Sequence, residues 1–222
     1  MQNNIKIIKK NIKKVKLKVN MDSNILITVP IDTTDIEIDY MINNNYEWIL
    51  KKVAKNASKL KAIGLKDTNK FTYLGNEYDI IINKDNNIRD IKIDGKNCII
   101  NLKNIDNENE LAFKVLSDWC YLTAKQYFTQ LVDKYLPLVN KKVNKITIRK
   151  MKTRWGSCNP SKQYINLNIE LLKKSEQLIE YVVLHEVTHL IHRNHDNNFY
   201  AFLTLHMPDW LSRHKKLNQN SL

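Results

Sequence analysis

Residues 178–191 are apolar nearly all the way round a helix, with Leu178, Ile179, Val182, Val183, Leu184, Val187, Leu190 and Ile191, yet His185, Glu186 and His189 sit in their midst. A helix without a polar face belongs at the centre of a fold, where buried polar groups need partners. On such a helix His185 and His189 stand one turn apart on one face, the i,i+4 spacing from which two imidazoles reach one metal ion. Glu186, beside the first of them, is where a carboxylate can take a proton from a metal-activated water. The segment therefore predicts a helix-borne metal site enclosed by the remaining elements.

A catalytic zinc site needs a third ligand and an open position. All six histidines fall between 185 and 214, so the choice is narrow. On a straight helix His192 is about 10.5 Å beyond His185 along the axis, too far for two nitrogens that must each lie about 2.1 Å from one zinc. A turn is required first. Asn194 tolerates the left-handed conformation that ends helices and is predicted to supply it, folding His195 back toward the metal. His195 is the favoured ligand, with Asp196, His206 and His192 as alternatives. No Glu follows Glu186, which removes a downstream glutamate ligand. A closed structural site would want a fourth ligand, usually cysteine, and none lies in 185–195.

The 222 residues, 43% of them hydrophobic, suffice for a core in one domain or two small lobes. No run of eighteen apolar residues occurs, and the N-terminus lacks an apolar signal-peptide centre. Cys98, Cys120 and Cys158 form an odd, widely spaced set, which points to a reducing cytoplasm. The net charge of +13 raises DNA or DNA-bound proteins as partners. Its lysines are spread along a chain rich in Lys, Asn and Ile, as an AT-rich coding sequence would also produce.

Along the chain, 12–19 and 25–29 read as strands. Asp32 or Thr33 is expected to cap one helix over 34–62, which Gly64 would stop. Gly75-Asn76 and Asp94-Gly95 predict two hairpins. A long helix follows over 109–139, with Pro137 near its end. Residues 146–151 and 163–168 are strand-like, and 154–161 reads as turns. Ser175 is expected to cap the metal-site helix. The architecture is α+β: a strand-rich N-terminal lobe with one helix (1–105) and a lobe of helices beside a small sheet (106–222). Phe199, Tyr200, Phe202, Leu203 and Leu205 read as a packing helix behind the site. Trp48, Trp119 and Trp210 read as core or interface residues.

Further residues invite roles. His192 can hydrogen-bond substrate, support the metal ligands, or simply face the helix dipole. Arg154 can anchor a substrate carbonyl, although a structural pairing is favoured beside Trp155 and Gly156, which look like packing and tight-turn residues. Cys158 reads as buried, because a zinc-water nucleophile needs no thiol. The strand over 163–168, with Asn166 and Asn168 turned outward, reads as an edge that could accept an extended substrate.

Arg154-Trp155-Gly156-Ser157-Cys158, then Asn166-Leu167-Asn168, the 185–189 motif, Asn194-His195-Asp196 and Met207-Pro208-Asp209-Trp210 together resemble the YgjP/SprT-like zinc metallopeptidases, with WLM-type proteases as relatives. The His195 spacing also matches that of the metzincins, though His192 stands where they carry Gly. The resemblance implies a zincin-like lobe, one Zn2+ held by His185, His189 and His195, Glu186 as general base, and a protein or peptide substrate. The rivals are a DNA-associated binding module with a regulatory or vestigial zinc site, and metal-assisted hydrolysis of a non-peptide bond.

Overall fold

In Ile25–Pro30 (β3) every second residue is buried, the period-2 signature of a strand with one face on a core. The computed structural model describes residues 5–20, 23–62, 69–84, 90–102 and 108–219. In it β3 is the middle of a three-stranded sheet, with β1 (Ile5–Lys10) parallel on one side and β2 (Lys16–Val19) antiparallel on the other. β1, almost wholly exposed, was not foreseen, because its lysine-interrupted sequence buries no continuous face.

The single helix expected over 34–62 is two, α1 (Asp35–Asn44) and α2 (Tyr46–Ala62). Asn45 separates them, its side-chain amide donating to the Met41 carbonyl at 2.8 Å. The cap is Thr34 rather than Asp32 or Thr33. Its hydroxyl accepts from the Glu37 backbone N–H, and the Glu37 carboxylate accepts from the Thr34 N–H at 2.8 Å, a reciprocal box that satisfies two helix-end donors. Ile38 and Ile49 turn inward onto Val19, Ile25, Ile27 and Val29. Trp48 is 43% exposed and so is no core residue. Gly64 lies outside the described residues.

A second sheet has the order β4 (Lys70–Tyr73), β5 (Asn76–Lys84), β7 (Asn97–Leu102), β6 (Asp90–Asp94), with β5 and β7 parallel and β6 antiparallel to β7. The β4–β5 loop is Leu74-Gly75, not Gly75-Asn76. Both residues have positive φ (48° and 81°), as a two-residue turn matched to strand twist requires.

The chain divides into two compact units, Met1–Phe71 with Tyr78–Leu116, and Thr72–Glu77 with Ser117–Leu222. The 32-residue helix α3 (Glu108–Val139) contributes to both and carries Pro137 in its last turn. In the second unit β8 (Lys145–Arg149), β9 (Gly156–Asn159) and β10 (Tyr164–Asn168) form a sheet ordered β8-β10-β9. Two expectations change here. Residues 156–159 are a strand rather than turns, and β10 is the central strand, parallel to β8 and antiparallel to β9. The edge belongs to β9.

A short 3-10 helix (Ile169–Lys173) leads into α4 (Glu176–Thr188), followed by α5 (Asn197–His206) and α6 (Trp210–Gln219). Seven apolar side chains of α4 are buried, among them Ile179, Val183 and Val187. They pack in one cluster with Phe128 and Val132 of α3 and Ile165 and Leu167 of β10. Burial of such side chains is worth about 1.5–3 kcal/mol each, enough to hold polar residues on the same helix out of water. Ser175 occupies the N-cap of α4 but makes no capping side-chain bond. It lies instead against Gly75, whose missing Cβ would fall 3.0 Å from the Ser175 Cα, while the Leu74 N–H donates to the Leu172 carbonyl at 2.8 Å. No described helix is long and apolar enough to cross a membrane.

Candidate metal centre

Helix α4 stops at Thr188, one residue before the second motif histidine, and its ladder tightens there to i→i+3 bonds such as Leu190 N–H to the Val187 carbonyl at 3.0 Å. The chain turns through residues 189–191 without any left-handed residue, so Asn194 does not have the conformation expected of it. The return still occurs. Asp196 caps α5 by accepting from the Phe199 N–H at 3.0 Å, which spends its carboxylate on the helix end.

This path brings His185, His189 and His195 together, with one ligand-capable atom of each lying within 4.8 Å of the others. Their ring centroids are 4.8–4.9 Å apart. The Nε2 atoms of His185 and His195 approach to 3.0 Å. A tetrahedral zinc with bonds of about 2.1 Å places neighbouring ligands about 3.4 Å apart, within the observed spread. Beneath the trio, fully buried Phe199 sits 4.7–4.9 Å from each ring. It is a floor shared by all three, a nearer role than packing behind the site.

The imidazoles are set up as neutral donors. The His189 Nδ1 lies 3.0 Å from the His192 carbonyl oxygen, which can only accept, so Nδ1 carries the proton and Nε2 keeps its lone pair. Burial, then His189, His195 and His214, drive the His185 pKa down to about 3. Burial also lowers that of His189. The His185 Nδ1 and the Glu186 Oε2 are buried without a protein partner. A set of neutral nitrogens beside an orphaned carboxylate fits a single zinc ion.

Glu186 is 6% exposed, and burial pushes its carboxyl up to about 8 against the opposing pull of the Arg154 guanidinium. It lies against the backbone of β9. A Cβ on Gly156 would stand 2.6 Å from the Glu186 Cγ and Oε1, so this position leaves no room for a side chain. Gly156 is a close-approach residue within a strand, not a turn residue. Glu186 and the three histidines open onto a groove of about 510 Å³, walled by residues 156–161, Arg154 and Arg193.

The other singled-out residues separate clearly. Arg154 is exposed on the groove and makes no direct ion pair among the described residues, but its charge acts on the Glu186 carboxyl. Asn166 donates to the Ser157 hydroxyl at 3.1 Å, linking β10 to β9. Asn168 does not face outward: it is fully buried, donates to the Met151 and Arg154 carbonyls, and accepts from the Met151 and Glu170 N–H groups. It holds the 151–154 loop. His192 supports His189 through its carbonyl, while its ring lies 6.0 Å from Phe202. His206 lies 4.4 Å from the Phe202 ring at a tilt of 54°, and His214 accepts or donates between the Tyr181 hydroxyl and Asn218, both at 2.9 Å. Cys158 is only partly buried, and burial followed by Glu186 raises its thiol to about 12. Of the helix expected behind the site, Phe199 and Leu203 are buried, but Tyr200 and Leu205 are 40% and 73% exposed. Arg193 and Ser161 were not singled out, although Arg193 lies between two ligands in sequence.

A family model described as YgjP-like, metallopeptidase domain, matches residues 13–220. No curated protein matches the chain. Among solved structures, the metallopeptidase zymogen of Methanocaldococcus jannaschii jannalysin is similar at 24% identity and TM-score 0.38, over 42% of this chain and 95% of that one. That of Pyrococcus abyssi abylysin is similar at 19% identity and TM-score 0.32, over 35% and 76%.

Proposed function

Because the chain belongs to the YgjP-like metallopeptidase family, we propose that it hydrolyses peptide bonds at one zinc ion held by His185, His189 and His195, with Glu186 as general base. The observation that carries this reading is the convergence of three imidazoles above Phe199, with a buried carboxylate lying against β9. Zinc bound there supplies a Lewis acid and lowers the pKa of a coordinated water toward about 7. Glu186, buried beside that position and lying against β9, would accept the proton of the attacking water and return it to the departing amine. Gly156 fixes where that carboxylate stands.

Among the described residues β9 pairs with β10 alone, so its other edge offers backbone donors and acceptors to an extended polypeptide. This replaces the strand over 163–168 as the docking edge. A cytoplasmic setting agrees with cysteines that form no disulfide among the described residues.

The test is zinc-loaded wild type beside Glu186→Gln, each incubated with casein and with a histone, zinc content being measured on both. Cleavage by wild type alone, at equal zinc stoichiometry, is the expected result. Equal cleavage by Glu186→Gln would remove the general base from this account.

A further inference from the structure

We propose that the groove selects acidic polypeptide segments, with Arg154 and Arg193 receiving carboxylate side chains at the two ends of β9. The inference rests on the peptidase reading and names its substrate class.

Three observations support it. The first is the charge of the lining. Arg154 and Arg193 both face the groove, and the one acid lining it is Glu186, which is buried and belongs to the hydrolytic centre. A bound divalent cation would add to the excess of positive charge, and a groove of one sign concentrates the opposite sign.

The second is that neither guanidinium makes a direct ion pair among the described residues, the acid that Arg154 feels being the buried Glu186 of the hydrolytic centre. Arg154 makes no side-chain hydrogen bond or ion pair, and Arg193 meets only the Ser161 hydroxyl, at 3.4 Å. In the same unit Arg213 is engaged by Asp209 at 2.8 Å and by Glu180 at 3.3 Å. This fold does supply acids to an arginine where it uses one structurally. A guanidinium left without one keeps its planar fork open for a carboxylate.

The third is placement. Arg154 lies two residues before β9, and Arg193 touches Ser161, two residues beyond its end, so the two cations bracket the free edge. A four-residue strand spans about 13 Å. An extended segment paired along that edge therefore brings side chains about four positions apart to the two arginines, with Glu186 and the imidazoles beside its course. Phosphates of a nucleic acid would also answer to arginine, but an edge strand recognises a polypeptide backbone, and the hydrolytic groups open onto that same groove.

The experiment uses three fluorogenic decapeptides of one sequence, in which the positions two residues either side of the centre are Glu, Gln or Lys. Binding of the Glu and Lys peptides to zinc-loaded Glu186→Gln is followed in parallel by fluorescence anisotropy. The expected kcat/KM order is Glu, Gln, Lys, with at least tenfold between the first and last, shrinking as salt rises. Arg193→Glu should reverse the preference at one end, and Arg193→Gln, which adds no new charge to the fold, should flatten it. Equal rates for all three peptides with unchanged Arg193→Glu behaviour would overturn the proposal. So would a single-stranded oligonucleotide that displaces the Glu peptide at lower concentration than an unlabelled copy of that peptide. Arg193-dependent binding of the Glu peptide with no cleavage of any peptide would uphold the selectivity and reject the peptidase reading.

Discussion

Gly156→Ala isolates the geometry of the hydrolytic centre from its chemistry. The added methyl carbon would stand 2.6 Å from the Glu186 Cγ and Oε1 and 2.8 Å from its Cδ, where ordinary contact begins near 3.4 Å. Glu186 is 6% exposed on a helix whose other faces are packed, so the carboxylate must swing by about 0.8 Å rather than the helix retreat. A displacement near 1 Å in a reacting group costs on the order of 100-fold in rate, or about 2.7 kcal/mol of barrier. The imidazoles contact other elements, so zinc should remain stoichiometric. Stability should change by no more than about 1–3 kcal/mol, the usual cost of overpacking, partly offset by the lower unfolded-state entropy of alanine. The assay is kcat on the Glu decapeptide together with zinc content and urea unfolding. Asn144→Ala is the control, since that residue does not line the groove and its loss should leave kcat within about twofold. A Gly156→Ala protein with wild-type kcat, or one that had lost its zinc, would refute the reasoning.

Removing the metal should expose two opposed proton linkages. The folded protein holds the Glu186 pKa up to about 8 and the His185 pKa down to about 3, against ordinary values of 4.5 and 6.5. Between about pH 4.5 and 6.5 the Glu186 and His185 terms cancel, and the lowered pKa of His189 leaves stability falling as pH falls through that range. Above 6.5 Glu186 acts without these two opposing it, and stability falls by up to about 1.4 kcal/mol per unit until near pH 8; below 4.5 the two buried histidines act together, and stability falls with decreasing pH. Urea titrations of zinc-free wild type and Glu186→Gln should differ in the upper limb, and an equal decline in both proteins is the outcome that rejects this origin. Asn168→Ala removes four hydrogen bonds from a fully buried site and strands the Met151 and Arg154 carbonyls, so unfolding should be easier by about 2–4 kcal/mol; a loss below 0.5 kcal/mol in urea would contradict the staple role. Cys158, its thiol raised to about 12, should be about one part in ten thousand thiolate at pH 8, so iodoacetamide should label it far more slowly than free cysteine, and rapid labelling would disprove the assignment.

The metal site was legible because its chemistry is local. His185, Glu186 and His189 need only a helix to share a face, and the reach of a metal bond then demands a turn before His195. The structure brings those residues together, although the turn uses tightened helical bonds rather than a left-handed Asn194. What sequence left hidden depends on partners remote along the chain. Gly156-Ser157-Cys158-Asn159 has no β-branched or alternating pattern and becomes a strand only by pairing with β10. β10 has the alternation of an edge strand, but Arg149 and its neighbours in β8 occupy its second side. The burial of Asn168 is hidden for the same reason: the loop it binds lies 14–17 residues earlier. The break at Asn45 leaves no sequence signal because apolar spacing continues across it, nor does the Leu74-Gly75 turn, because leucine rarely takes positive φ.

The seating of Leu74-Gly75 on Leu172 and Ser175 joins segments that a ribosome makes far apart in time. About one hundred residues separate Gly75 from Ser175. At roughly 5–20 residues per second, the tip of the β4–β5 hairpin therefore exists for about 5–20 s before the surface that receives it is synthesised. All three imidazoles and Glu186 emerge later again. A chain still in synthesis up to Ser175 thus lacks the three imidazoles and the carboxylate with which the finished protein would cut polypeptide.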